Sequence, residues 1–111
     1  MSDAPDADAN ALKNRTLAQV RAGQYRITAH AHQEMVSDGF QLDDVLAGLE
    51  NSRLLENYPE HKRGACALFG GVAPDGRPIH IVCTTANPVT ILITVYEPKP
   101  PKWPTPTQRN R

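Results

Sequence analysis

Two histidines and a tyrosine are the residues of this 111-residue chain whose types and surroundings suit acid–base chemistry. His80 and Tyr96 each lie in a run of alternating side chains, and His30 stands four residues before Glu34. On a helix that spacing brings a carboxylate next to the imidazole, where it can orient or charge the ring. A solvated sheet face and a surface ion pair remain the alternatives. The pair of His30 and Glu34 therefore suits general acid–base work.

The two alternating runs, residues 78–85 and 89–97, are typical of β-strands, in which side chains alternate between faces. One set is aliphatic and is predicted to face helices; it comprises Ile79, Ile81, Cys83, Val89, Ile91, Ile93 and Val95. The other set is predicted to form a groove floor on the opposite face, and it comprises His80, Thr84, Thr90, Thr94 and Tyr96.

Cationic side chains lie near these strands in the sequence. Lys62 and Arg63 follow His61 in a loop, and Arg77 opens the strand that carries His80. Guanidinium and ammonium groups bind phosphate, so the cluster with Lys62 and Arg63 could hold one. Arg77 and the Thr94 hydroxyl are the other two candidate substrate-binding residues. An ordinary solvated loop is the alternative for Lys62.

The spacing of histidines and cysteines does not favour a metal. No C-x-x-C or H-E-x-x-H motif occurs, and His30 and His32 would lie about 200° apart around a helix. Cys66 and Cys83 each stand in an apolar run, as small buried hydrophobic residues do. We therefore expect no metal and no cofactor.

Helices precede the strands. Leu42, Val45, Leu46 and Leu49 fall at i, i+3, i+4 and i+7 and predict a helix. Residues 10–22 predict another, and a third runs over Ala29–Asp38 between a Thr28 cap and Gly39. After Asn51 the period changes to that of strands, over 53–58, 65–72, 78–85 and 89–97, with 25–28 as an extra edge strand. Short connections predict antiparallel pairing.

The expected fold is therefore α+β, with two or three N-terminal helices packed on one face of a four- to five-stranded, mainly antiparallel sheet. The length allows one domain, and the net charge of zero disfavours a strongly basic nucleic-acid binder. We expect a flexible acidic N-terminus over 1–10, a single domain over 11–97 and an extended, proline-rich basic tail over 98–111. Trp103 is expected to fold back onto the domain, because large exposed aromatic residues are uncommon.

Hydrophobic runs, the number of cysteines and the charge of the N-terminus bear on the compartment and on a membrane partner. No apolar run reaches the ~20 residues of a membrane span. Two cysteines do not make a disulfide framework, and the acidic N-terminus is unlike an export signal. We expect a cytoplasmic protein with no membrane partner.

A series of short motifs resembles the bacterial and archaeal domain of unknown function 4258, over about residues 12–103. The family is considered a relative of the RelE/ParE toxin superfamily. The motifs are Thr28-x-His30-Ala31-x-x-x-Met35-x-x-x-Gly39, Leu54-x-x-x-Tyr58-Pro59, Gly76-Arg77-Pro78-Ile79-His80-Ile81-Val82, Ile93-Thr94-Val95-Tyr96-Glu97-Pro98 and Lys102-Trp103.

The resemblance implies a RelE/ParE-like fold and a toxin of a type II toxin–antitoxin system that cleaves RNA without a metal. It implies His80 as acid or base, His30 as a second acid–base group, Tyr96 as a positioning group or proton donor, and Arg77 with Arg63 on the phosphate. The implied partners are RNA and a small zinc-finger antitoxin. Apart from the resemblance, the tail with its aromatic anchor could dock on a second copy in a homodimer.

A non-catalytic protein-binding module with a toxin-like fold is the alternative function. Glu34 and Asp38 are acidic where many relatives carry basic residues, which lowers the affinity for phosphate. The proline-rich tail with its Trp103 could also dock on a partner.

Overall fold

The computed structural model describes residues 4–62 and 64–109, with the side chains of residues 4–8 left aside. Three helices, α1 (Ala4–Arg21), α2 (Ala29–Asp38) and α3 (Leu42–Glu50), are accompanied by five strands. The strands are β1 (Tyr25–Ile27), β2 (Arg53–Tyr58), β3 (Cys66–Val72), β4 (Pro78–Thr84) and β5 (Thr90–Tyr96). The predicted α+β class is confirmed.

The five strands form one mixed sheet in the order β1-β5-β4-β3-β2. Strands β2 to β5 pair antiparallel with their neighbours in the chain, as the short connections predicted. Strand β1 pairs parallel with β5, because the whole chain from α2 to β4 lies between them. The extra edge strand predicted at residues 25–28 is therefore present.

The helices cover one face of the sheet, and the main hydrophobic core lies between the two layers. Val45 and Leu49 of α3 are fully buried there with Ile79 and Ile81 of β4. At Gly71 the approach is so close that an added Cβ would lie 2.0 Å from the backbone oxygen of Gly48. Glycine on both elements lets α3 sit directly on β3 and β4.

Local signals set the ends of the helices. The Thr28 hydroxyl accepts a hydrogen bond of 3.0 Å from the Ala31 amide and caps α2, which ends at Gly39 with a φ of 72°. Helix α1 begins at Ala4, six residues before the predicted helix start and within the segment expected to be flexible. Alanine favours helix, and aspartates in a first turn interact well with the helix dipole.

The predicted face assignment is wrong for the first half of β5. Val82 pairs with Thr94 but Cys83 pairs with Leu92, so the register shifts and Ile93 is an extra, bulged residue. Leu92 is therefore fully buried in the core, whereas Ile91 and Ile93 are not part of it. A single inserted residue exchanges the faces of every side chain beyond it.

Thr90 is on the helix side for the same reason, not on the groove floor. Its hydroxyl is hydrogen-bonded to Gln19 of α1 and is fully buried. Thr94 and Tyr96 lie beyond the bulge and keep the predicted face. There Thr94 pairs with Val82 and Tyr96 pairs with His80 on the neighbouring strand.

The chain after β5 folds back over the face of the sheet that the helices leave open. Residues 98–109, the C-terminal segment, bring Trp103 against His80, and the indole is only 2% exposed. The prediction that Trp103 folds back is confirmed. None of the helices among the described residues has the length and apolar character needed to cross a membrane.

Candidate functional site

His80 and Tyr96 are direct neighbours across β4 and β5, on the face away from the helices. The Tyr96 hydroxyl lies 3.1 Å from His80 Nδ1, and the two rings meet edge to face with centroids 5.2 Å apart. The strand pattern predicted that both residues lie on the same face of the sheet; the strand register makes them direct neighbours.

The other nitrogen of His80 determines its tautomer. Nε2 lies 2.6 Å from the carbonyl oxygen of Pro106 in the C-terminal segment. A carbonyl only accepts, so Nε2 carries the hydrogen. In the neutral ring Nδ1 is then an acceptor, and the Tyr96 hydroxyl donates to it. The result is a chain of carbonyl, imidazole and phenol, the arrangement that orients a base next to a hydroxyl.

Burial makes this pair neutral near pH 7. His80 is 1% exposed, and burial lowers its pKa; the Pro106 carbonyl and Glu56 oppose that shift, while Arg109 adds to it. Burial likewise raises the pKa of Tyr96, against the smaller opposing effects of Trp103 and Arg109. Near neutral pH the imidazole is therefore unprotonated, and the phenol still holds its proton.

Trp103 is the aromatic residue of the C-terminal segment that packs against His80, beside the contact with Pro106. Its ring is perpendicular to that of His80 at 4.3 Å, and the Arg109 guanidinium lies 4.7 Å from its centroid. Arg109 in turn donates two hydrogen bonds, of 2.8 and 3.0 Å, to the Glu56 carboxylate on β2. The buried Trp103 Nε1 has no hydrogen-bond partner among the described residues.

An open cleft of about 500 Å³ lies beside Tyr96, between α2, β5 and the start of the C-terminal segment. It brings together three of the predicted site residues with two lysines that sequence reasoning missed. Its lining is His30, Glu34, Thr94, Tyr96, Glu97, Lys99, Lys102 and Trp103.

His30 and Glu34 form the predicted i,i+4 pair at the rim of this cleft. His30 Nε2 lies 3.4 Å from Glu34 Oε1, and the imidazole is 65% exposed. Burial raises the pKa of Glu34, while the hydrogen bond from the Val95 amide and the charge of His30 oppose the rise. His30 is thus a solvent-accessible acid–base group held by a carboxylate.

The two acidic residues of α2 have a structural role as well. Glu34 accepts from the Val95 amide at 3.0 Å, and Asp38 accepts from the Glu97 amide at 2.9 Å. Strand β1 pairs with β5 only as far as Leu92, so these amides face α2. The carboxylates therefore continue the hydrogen bonding of the sheet edge, which accounts for acidic residues at these positions.

Arg77 does not line the cleft. Its guanidinium donates to Asp75 at 2.8 Å, to the Gly39 carbonyl at 3.1 Å and to the Asp38 carbonyl, and it lies over the Phe40 ring. The hydrogen bond with Asp75 raises the pKa of Arg77. The side chain holds the end of α2 against the β3–β4 turn, and its donors are engaged there.

The other two predicted phosphate-binding residues are not in the cleft either. Lys62 is exposed in the connection between β2 and β3. Strand β2 is the edge of the sheet farther from β5. Arg63 lies outside the described residues. The cations that do reach the cleft, Lys99 and Lys102, were visible in the sequence only as part of a basic, proline-rich tail.

Metal-binding groups do not gather in the described part of the chain, where no set of three histidine, cysteine or acidic side chains could hold an ion. Cys66 and Cys83 are both buried, and no disulfide joins them. They lie on opposite faces, since Cys83 pairs with Ala67, the neighbour of Cys66. Burial raises the pKa of Cys83 to about 12.

Comparison with known proteins identifies one family, described as a domain of unknown function (DUF4258), over residues 27–97. The match runs from the end of β1 to the residue after β5 and includes His30, His80 and Tyr96. The C-terminal segment follows it. Neither a curated protein nor a solved structure matches the chain.

Proposed function

The chain belongs to the family of domains of unknown function DUF4258, and from that premise we propose that it is an endoribonuclease of the toxin type whose acid and base are protein side chains. One observation carries the proposal. The open cleft brings His30 and Tyr96 together with Lys99 and Lys102, and Tyr96 is hydrogen-bonded to the buried, neutral His80.

The reaction is attack of a ribose 2′-oxygen on the adjacent phosphorus. The 2′-OH gives its proton to the Tyr96 oxygen as the Tyr96 proton moves to His80 Nδ1. The bond from O2′ to phosphorus forms and the bond to O5′ breaks, while a protonated His30 donates its proton to O5′. The products are a 2′,3′-cyclic phosphate and a free 5′-hydroxyl, and solvent then resets both histidines.

Lys99 and Lys102 stabilise the negative charge that grows on the phosphoryl oxygens, and the Thr94 hydroxyl binds one of them. Two carboxylates in the same lining limit the affinity for phosphate. Glu34 is held by His30 and the Val95 amide, and Glu97 lies 3.7 Å from Arg77. Pairing reduces the repulsion that these acids exert on a bound phosphate.

The proposal includes the compartment and partners of a toxin. A cytoplasmic protein would meet RNA directly, and two buried cysteines that no disulfide joins are compatible with a reducing compartment. A small zinc-finger antitoxin would hold the enzyme inactive, and a homodimer is the expected assembly.

An in vitro cleavage assay tests the proposal. End-labelled single-stranded RNA is incubated with the protein, with and without EDTA, and with the variants Tyr96→Phe and His30→Ala. We expect cleavage that survives EDTA and falls by roughly a hundredfold in each variant, the range for loss of a general acid or base. His32→Ala is the matched control, because His32 is exposed on the same helix outside the cleft. Equal cleavage by Tyr96→Phe and the unaltered protein would contradict the mechanism.

A non-catalytic binding module is the second candidate. The observation that favours it is the burial of His80 beneath the chain's own C-terminal segment, which leaves the ring out of reach of a large substrate. If no RNA is cleaved under any condition, with ribosomes included, this candidate replaces the first.

A further inference from the structure

The chemistry proposed for Tyr96 depends on which nitrogen of His80 carries the hydrogen. A neutral imidazole has one donor and one acceptor. If the hydrogen were on Nδ1, that nitrogen could not accept from the Tyr96 hydroxyl, and the proton transfer from Tyr96 would have no destination. The two tautomers are similar in energy in water, so a fixed partner on the other nitrogen decides between them.

That partner is the carbonyl of Pro106, and two contacts hold it in place. Trp103 is three residues before Pro106 and is packed edge-on against His80. Arg109 is three residues after it and is bound to Glu56 through two hydrogen bonds. The carbonyl is therefore clamped on both sides against the sheet.

We propose that the C-terminal segment is a positioning element of the site, which fixes His80 in the Nε2–H tautomer through the Pro106 carbonyl and thereby makes Nδ1 the acceptor for Tyr96. The segment follows residues 27–97, which match the family model. The tautomer follows from the geometry alone, whereas its effect on RNA cleavage rests on the proposed function.

The competing role for the same segment is that of an inhibitory plug. A plug predicts that loosening the segment speeds cleavage, whereas a positioning element predicts that it slows cleavage. A plug should close the site it blocks. Here the cleft beside Tyr96 is open with the segment in place, and the segment supplies Lys99, Lys102 and Trp103 to its wall. The geometry therefore favours a segment that completes the site.

The test loosens one clamp of the segment without touching the cleft. Arg109→Gln removes the ion pair with Glu56, and Arg109→Lys restores a positive charge at the same place. Arg21→Gln is the matched control, because Arg21 forms an exposed pair with Glu50 away from the site. Should Arg109→Gln leave the segment docked, Trp103→Ala is a second way to release it. Because Trp103 also lines the cleft, this second variant is judged by the tautomer of His80 and not by cleavage.

Two readouts are measured on the full chain. Long-range ¹H–¹⁵N spectra of the imidazole report the tautomer of His80, and the RNA assay reports cleavage. We expect the Nε2–H form in the unaltered protein, a mixture of tautomers in Arg109→Gln or Trp103→Ala, and recovery in Arg109→Lys. Cleavage should fall by about tenfold or more in the variant that loses the single tautomer, and it should recover in Arg109→Lys, as expected for a group that orients a general base.

The opposite results overturn the proposal. An Nδ1–H tautomer in the unaltered protein, or an unchanged tautomer in both Arg109→Gln and Trp103→Ala, would remove its basis. Faster cleavage by Arg109→Gln would show that the segment is a plug. If the unaltered protein cleaves no RNA, the proposed function fails, and the spectra still decide whether the segment sets the tautomer.

Discussion

At the scale of the residue, His80 is unusual in being buried, neutral and hydrogen-bonded through both nitrogens. The strand pattern placed it on the same face as Tyr96 but did not indicate that Tyr96 and Pro106 would be its two partners. The same holds for Glu34 and Asp38, whose carboxylates bind backbone amides of β5. Side chains that looked like surface charges are thus part of the framework of the site.

The burial of His80 makes stability depend on pH. Its pKa is lowered in the folded state, so between that pKa and the ordinary value of about 6.5 the unfolded chain binds more protons than the folded one. Stability from this group is present at higher pH and is lost as the pH falls through that window, by at most about 1.4 kcal/mol per pH unit.

Urea unfolding at pH 7.5 and 5.5 measures this effect. The unaltered protein should lose more stability on acidification than His80→Gln, which cannot be protonated. Equal losses would mean that His80 titrates alike in the folded and unfolded chain. Glu56, Arg109 and Tyr96 are the titratable groups next to His80, and their interactions with it are part of its environment in the folded state.

At the scale of the element, a β-bulge and a close helix–strand contact determine the geometry of the site. The bulge at Ile93 lets Leu92 enter the core while Thr94 and Tyr96 face the cleft. The contact of α3 with β3 and β4 at Gly48 and Gly71 holds the strand that carries His80. Neither feature adds a group to the site, yet both decide which side chains reach it.

Gly71→Ala should destabilise the fold by roughly 1–3 kcal/mol, the usual cost of overpacking a rigid core. The new Cβ would lie 2.0 Å from the Gly48 carbonyl oxygen, and backbone atoms cannot move aside. Gly70→Ala is the matched control, because its Cβ would meet the end of the Leu55 side chain at 2.6 Å, which can change rotamer. Chemical denaturation that ranks Gly70→Ala as the more damaging change would be the opposite result.

At the scale of the whole molecule, the chain consists of a main core and a second, smaller layer. The main hydrophobic cluster lies between helices and sheet and does not include Trp103. The C-terminal segment covers the other face through Trp103, Pro106 and Arg109. Two layers that share few groups can open separately.

Native-state hydrogen exchange should detect that separation. The Trp103 amide donates to the Lys99 carbonyl within the segment, and we expect it to exchange faster than the amides of β4 and β5 in the main sheet. The reason is that releasing the segment breaks few contacts and leaves the main core intact. Equal protection at both places would instead mean that the segment and the core unfold as one unit.

Much of the architecture was predictable, because its signals are local. The bounds of α2 and β2 follow from a Thr28 cap, a glycine with positive φ and a stop at Pro59. The helix period of α3 and the alternation in β4 likewise repeat over a few residues. The bulge was not predicted, because one inserted residue leaves the alternating pattern of β5 intact. It changes only which face of the sheet each side chain occupies.

The sequence by itself determined the α+β class, the order of the elements and the common face of His80 and Tyr96. These depend on periodicity, caps and strand register, which act between residues near in the chain or on adjacent strands. The tertiary structure decided the cleft of His30, Tyr96, Lys99 and Lys102 and the Pro106 carbonyl on His80. Those contacts join α2, β5 and the C-terminal segment across long stretches of chain, and their free energy comes from docking whole surfaces, for which no local pattern of residues codes.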